Sequence, residues 1–270
     1  MTEGRSSADR DDGPQPAPRR RGARWTRRSG RRGHDEGWNA RTAERQGARK
    51  GARVGMQDRE LLFDDWADSY DDQTAAAQHP FPYGGYDLVL AEVVKQAAAS
   101  PGQSVLDLGI GTGKLAAKFA ELGCSVWGVD FSAEMLAQAR AKLPEAVLAQ
   151  ANLMDEWPPL LERRFDRIVS SYVLHEFDLD AKVSLLQRAT DHLVSGGRIV
   201  IGDIAFETVE ERDAGRARRH ERWDDDEWYW AADEAIPACR TAGIHATYTQ
   251  VSECGGVFAI AKMDVAHNRE

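Results

Sequence analysis

Residues 105–116 read VLDLGIGTGKLA: Gly109, Gly111 and Gly113 stand at alternate positions directly after an apolar run that contains Asp107. Such a turn ahead of a helix suits a ligand, because glycine bends tightly, lets a ligand approach closely, and leaves the helix's first N–H groups free to donate. A nucleoside triphosphate would need G-x-x-x-x-G-K-[ST], but Leu108 stands where the first glycine should be, and Lys114 is followed by Leu115 instead of a hydroxyl. A dinucleotide would need its third glycine at position 114, which is Lys114; the pattern here is G-x-G-x-G. Asp130, closing the next apolar run in VWGVDFS, suits any adenosine ligand, since a carboxylate there accepts both ribose hydroxyls. Asp107 discriminates: beside a pyrophosphate it would repel, beside an ammonium or a sulfonium it would attract. The expected ligand is an adenosine carrying positive charge.

A second group of candidates lies further on. His175 and Glu176 occur in SYVLHEFD, and a histidine titrates in the range a general base requires, although a lone histidine is also a common structural residue. Asp203, in IGDIAF, either contacts a substrate or caps the segment that follows. Trp228, Tyr229 and Trp230 end the acidic stretch WDDDEWYW, which reads as a substrate lid or as a turn feeding a core helix. Arg216, Arg218 and Arg219 read as solvated ion pairs of small worth. Cys124, Cys239 and Cys254 are far apart, with no spacing for zinc, so buried free thiols and no metal site are expected.

The elements that must position these residues alternate. Short β-rich runs at 104–108, 125–129, 146–149, 166–170, 198–202, 246–251 and 257–261 are separated by helical stretches near 85–98, 114–122, 132–142, 180–193 and 231–241. Nearly continuous apolar strands suit a parallel sheet buried on both faces. The alternation predicts an α/β protein with a Rossmann-like, doubly wound, seven-stranded sheet. SECGGV is too short for a crossover helix, so the last two strands should form an antiparallel hairpin. Residues 205–230 interrupt the alternation with a polar, helix-favouring stretch on the ligand side of the sheet, a possible lid.

Charge divides the chain. Residues 1–55 hold 15 Lys and Arg against seven acidic residues and lack Leu, Ile, Phe, Tyr and Cys, while the remainder carries a charge of −17. The first segment cannot bury enough apolar surface to order itself and reads as a disordered basic tail, with Met56 as a candidate true start and 56–270 as the folded domain. No apolar run approaches the roughly 20 residues of a membrane span, and no secretory signal core precedes the domain, so a cytoplasmic location is expected.

In order, VLDLGIGTG, VWGVDFSAEMLAQAR, FDRIVSSYVLHEF and LVSGGRIVIGD resemble the motif series of class I S-adenosylmethionine-dependent methyltransferases, over about residues 61–262. LFDDWADSYDD, GGYDLVLAEV and IPACRTAGIHATYTQV are similar to the YrrT-like branch. The resemblance implies that Gly109 and Gly111 pack against the methionyl and ribose part of S-adenosylmethionine, with Asp107 near its ammonium and Asp130 on the ribose hydroxyls. It places Phe131 beside the adenine, Asn152 as an acceptor for the adenine amino group where relatives often have an acid, Ser170 beside the methionyl moiety, and Tyr70 over the cleft. Trp66, four residues before Tyr70, reads as core packing. His175 becomes the candidate base at the edge where the methyl group emerges. Positioning alone supplies roughly 7–11 kcal/mol in such a displacement, so a base matters only for a protonated nucleophile. Enzymes of this fold that methylate nucleic-acid amino groups carry an Asn/Asp-Pro-Pro-aromatic motif after the fourth strand; here SSYV stands there, and the acidic domain disfavours a polyanion. A small-molecule acceptor is therefore expected, with neither nucleic acid nor membrane as partner. The alternatives are an adenosine-binding or sensing module without methyl transfer, and an NAD-dependent oxidoreductase, disfavoured by Lys114 and Asp107.

Overall fold

The computed structural model describes residues 81–261; the basic segment 1–55, Met56, Trp66 and Tyr70 lie outside the described residues. Within them, helix α1 (Tyr86–Ala97) leads into the alternating series β1 (Ser104–Leu108), α2 (Lys114–Glu121), β2 (Ser125–Asp130), α3 (Ala133–Lys142) and β3 (Val147–Gln150). β4 (Phe165–Ser171), α4 (Leu179–Asp191) and β5 (Leu193–Phe206) follow, then α5 (Val209–Arg218), β6 (Trp230–Ala231), α6 (Ala232–Thr241), β7 (Ala246–Gln250) and β8 (Gly255–Ala261). The main sheet runs β3-β2-β1-β4-β5-β8-β7. Its first five strands are parallel, and β8 is antiparallel to both β5 and β7, as the short SECGGV turn requires. The chain winds outward from β1 to β3, then returns to lay β4 on the other side of β1. That reversal opens a crevice beyond the carboxyl ends of β1 and β4, where α/β sheets bind ligands.

Side chains alternate across each strand, so β1 sends Val105 to one layer and Leu106 and Leu108 to the other. The first layer packs under α1, α2 and α3 through Val89, Val93, Phe119 and Leu136; the second packs under α4 and α6 through Leu185, Leu186 and Ala235. Helices on both faces make the sheet doubly wound. Three of the described helices start on side-chain caps: Ser132 Oγ accepts from the Met135 amide at 3.1 Å, Asp178 from Ala181 at 2.9 Å, and Thr208 Oγ1 from Glu211 at 3.1 Å. The three cysteines are buried and free. Among the described residues no helix is long and apolar enough to cross a membrane.

Two features exceed the sequence reading. β5 was expected over 198–202 and continues to Phe206, because Asp203 and Ile204 keep pairing with Gly256 and Gly255 of β8. The 205–230 stretch contributes α5, capped by Thr208, and ends in an eighth strand: β6 pairs parallel with the end of β5, Ala205 opposite Trp230 and Phe206 opposite Ala231. Trp223, Tyr229 and Trp230 are buried, while Trp228 is 45 % exposed.

Candidate functional site

A cleft of about 440 Å³ lies over the crevice between β1 and β4. The glycine turn forms its floor. Gly109 and Ile110 donate their amides to the Val129 carbonyl at 2.8 and 3.0 Å, which pins the turn to β2. Gly109 has φ +71°, and a Cβ there would stand 2.4 Å from Val173 Cγ2, so only glycine fits. Gly111 has φ +53°, and a Cβ there would meet nothing within 4 Å; this stretch of backbone is bare toward the cleft, as a closely approaching ligand requires.

Asp130 closes β2 beside the turn. Its Oδ2 accepts the Gly111 amide at 2.8 Å and its Oδ1 the Ser132 amide at 3.0 Å, which fixes the carboxylate at the cleft wall with a second lone pair on each oxygen. Asp107, on the adjacent strand, is 1 % exposed, and neither of its oxygens has a hydrogen-bond partner. Burial and the neighbouring Asp130 charge push its pKa well above the ordinary carboxylate range, only partly offset by the Ala116 amide at the start of α2. Asp107 is not among the residues lining the cleft; it lies buried behind the glycine turn, under the start of α2.

The other expected contacts are distributed unevenly. Phe131 and Asn152 line the cleft with Gly109, Gly111 and Asp130. Asn152 Oδ1 accepts the Met154 amide at 2.9 Å, which holds the loop after β3, and Asp155 of the same loop also lines the cleft. Ser170 is fully buried and donates its hydroxyl to the Leu108 carbonyl at 2.7 Å, tying β4 to β1; the next residue, Ser171, faces the cleft instead. Period-two alternation makes such a shift of one residue decisive. Tyr172 was not anticipated. It takes a left-handed φ of 55°, donates its amide to Gly202, and stacks its ring on Tyr86 at 4.7 Å along the cleft wall. Its left-handed φ is set by tertiary contacts that no local motif displays.

His175 does not line the cleft. It sits in a short 3₁₀ turn after β4, 5 % exposed, with Nδ1 2.6 Å from Asp203 Oδ1 and its own amide donating to Asp203 Oδ2 at 2.9 Å. Asp203 also accepts from Ile204 N and from Trp230 Nε1, at 2.9 and 3.0 Å. Burial would lower the His175 pKa, but Asp203, Glu227 and Glu176 outweigh it and raise the value to about 9. The ring thus sits in the field of three carboxylates, an environment that its local sequence does not display. Lys182, buried under Trp230 and donating to the Trp228 carbonyl, is lowered by burial to about 8. Burial likewise pushes Glu227 up to about 7. Asp203 thus anchors β4, β6 and the imidazole through one fully satisfied carboxylate.

The crevice is framed by a strand-turn-helix unit, a bare glycine floor and the carboxylate that closes β2. Residues 105–197 match the family described as "Methyltransferase domain". The chain is 34% identical over 202 residues to an uncharacterized methyltransferase of Geobacillus thermodenitrificans, an alignment covering 70% of this chain and 90% of that one. Among solved structures, the DhpI-SAM-HEP complex is similar with TM-score 0.59 at 21% identity, covering 78% of this chain and 99% of that one. The magnesium protoporphyrin IX methyltransferase of Synechocystis with bound SAH is similar with TM-score 0.54 at 15% identity, covering 75% and 99%. The chain belongs to the class I S-adenosylmethionine-dependent methyltransferases.

Proposed function

We propose that the chain transfers the methyl group of S-adenosylmethionine to a small-molecule acceptor, within the YrrT-like branch that its flanking motifs resemble. The observation that carries the cofactor side is the pair of acids flanking the glycine turn: Asp130 presents lone pairs to a ribose diol, and Asp107 lacks any counter-charge until an ammonium arrives. Gly109 and Gly111 leave the turn bare, Phe131 offers a face to the adenine, and the loop carrying Asn152 and Asp155 offers acceptors to its amino group. When bound, the cofactor supplies an electrophilic methyl group on a sulfonium leaving group. The chain's own residues then orient the acceptor and exclude water: Tyr172, Val173, Glu176 and Phe177, all past the end of β4, form the wall on that side. His175, behind this wall, is a positioning residue for Glu176 and the Trp228 segment, and no acid or base is obligatory for an in-line displacement.

The size of the cleft and the acidity of the chain beyond residue 55 support a small acceptor over a polyanion. A screen that follows S-adenosylhomocysteine release across a metabolite library, with mass detection of methylated products, tests this. Turnover with a small molecule is the expected result. Tight S-adenosylhomocysteine binding with no turnover on any small molecule would favour a sensing module, and binding of NAD in place of both sulfur ligands would overturn the assignment.

A further inference from the structure

We propose that His175, Glu176 and Glu227 form a binding site for a divalent cation of the manganese, iron or zinc type, at the inner edge of the methyl-transfer cleft. One ring nitrogen of His175 and one carboxylate oxygen from each glutamate lie within 4.8 Å of one another. Glu176 faces the cleft, whereas Glu227 faces a second cavity of about 280 Å³ enclosed by α4, α5 and α6, so the cluster joins the linings of the two. The three residues come from distant parts of the chain. The turn after β4 supplies His175 and Glu176, and the far end of the 205–230 stretch supplies Glu227, held there by the Trp228 amide donating to the His175 carbonyl at 2.7 Å.

The imidazole is built for a ligand. Its Nδ1 is committed to Asp203, which leaves Nε2 as the remaining nitrogen, and among the described residues no hydrogen bond reaches Nε2. If the ring served only as a buried cation between acids, Nε2–H would donate to Glu176 or Glu227; neither hydrogen bond forms. A carboxylate that fixes one nitrogen of a histidine and leaves the other to a ligand is the arrangement that orients metal-binding imidazoles. Asp203 is itself immobilised by His175 N, Ile204 N and Trp230 Nε1, so the orientation is rigid. One imidazole with two carboxylates mixes borderline and hard donors, which selects manganese, iron or zinc over calcium. Three protein ligands also leave coordination positions open. The site stands on these residues alone and does not depend on which acceptor the enzyme uses.

The test is a titration of the full, metal-stripped chain with Mn²⁺, followed by loss of the free-ion electron paramagnetic resonance signal and reversed by Zn²⁺. Binding of about one equivalent is expected, weakened at least ~10-fold in Glu227→Gln and about 10–100-fold in Asp203→Asn. S-adenosylhomocysteine calorimetry and thermal melts on the same samples separate loss of the metal site from loss of the cofactor site or of the fold. If Asp203→Asn fails to fold, Glu227→Gln, a change in a loop, carries the test. No Mn²⁺ or Zn²⁺ binding by the wild-type chain, or equal binding by wild type and Glu227→Gln, would overturn the proposal, whatever the calorimetry shows.

Discussion

Asp107 and Asp130 stand on neighbouring strands and handle charge in opposite ways. Asp130 is stabilised by two amides before any ligand binds; with the ribose role proposed for it, replacing it with alanine should remove charge-assisted contacts worth about 1.5–3 kcal/mol, a loss of roughly ten- to over a hundredfold in S-adenosylhomocysteine affinity by calorimetry. Asp107 destabilises the ligand-free chain. Its folded pKa is raised above the unfolded value near 3.9, so the folded state holds the extra proton, and stability falls as pH rises from about 4 toward the folded pKa. Asp107→Asn removes that dependence: its melting temperature should exceed wild type by more at pH 8 than at pH 5, while its cofactor affinity drops. A melting-temperature difference that does not grow with pH would show that the charge at Asp107 is already compensated. The site residues that were legible in the sequence are those whose partners are local, the glycine turn and the acid closing β2. The environment of His175 was not, because Asp203 and Glu227, whose charges oppose the effect of burial on the ring, are far away in the chain.

At the scale of elements, the alternation of strands and helices could be read because the strands of the parallel part of the sheet are short, largely apolar runs separated by longer helix-favouring stretches. β5 runs past Gly202 through Asp203, a charged residue that a buried strand accommodates only where it is satisfied. Its satisfaction comes from His175, Trp230 and the β8 pairing, all non-local. The same non-locality concealed β6, a two-residue strand that exists only as a partner for the end of β5. The aromatic end of the 205–230 stretch accordingly divides in two. Trp230 is 1 % exposed, packs on Phe258 with ring centroids 4.7 Å apart and donates to Asp203, so Trp230→Ala should cost about 3–5 kcal/mol by chemical denaturation. Trp228→Ala, at an exposed side chain, should stay within about 0.5 kcal/mol of wild type. Equal losses in the two variants would contradict this division.

At the scale of the whole molecule, the described residues hold the complete sheet and both helical layers, while the arginine-rich segment 1–55 belongs to a different compositional class. We propose that this segment is dispensable for cofactor binding: a chain begun at Met56 should keep the S-adenosylhomocysteine affinity and melting temperature of the full chain, and a fall in either would assign the segment a structural part. The paired ends of β5 and β6 have a consequence for how such an enzyme can diversify. Because Ala205 faces Trp230 and Phe206 faces Ala231, the residues between them leave and rejoin the fold at a fixed gap, clamped by backbone ladder bonds that are indifferent to side-chain identity. Within residues 207–229, Trp223 and Tyr229 are buried in the core and the Trp228 amide is bonded to the His175 carbonyl, so the freedom to vary belongs to the exposed face of α5. Changes confined to that face should leave the glycine floor and Asp130 in place, so that the surface beyond the sheet can drift while the cofactor side is inherited unchanged.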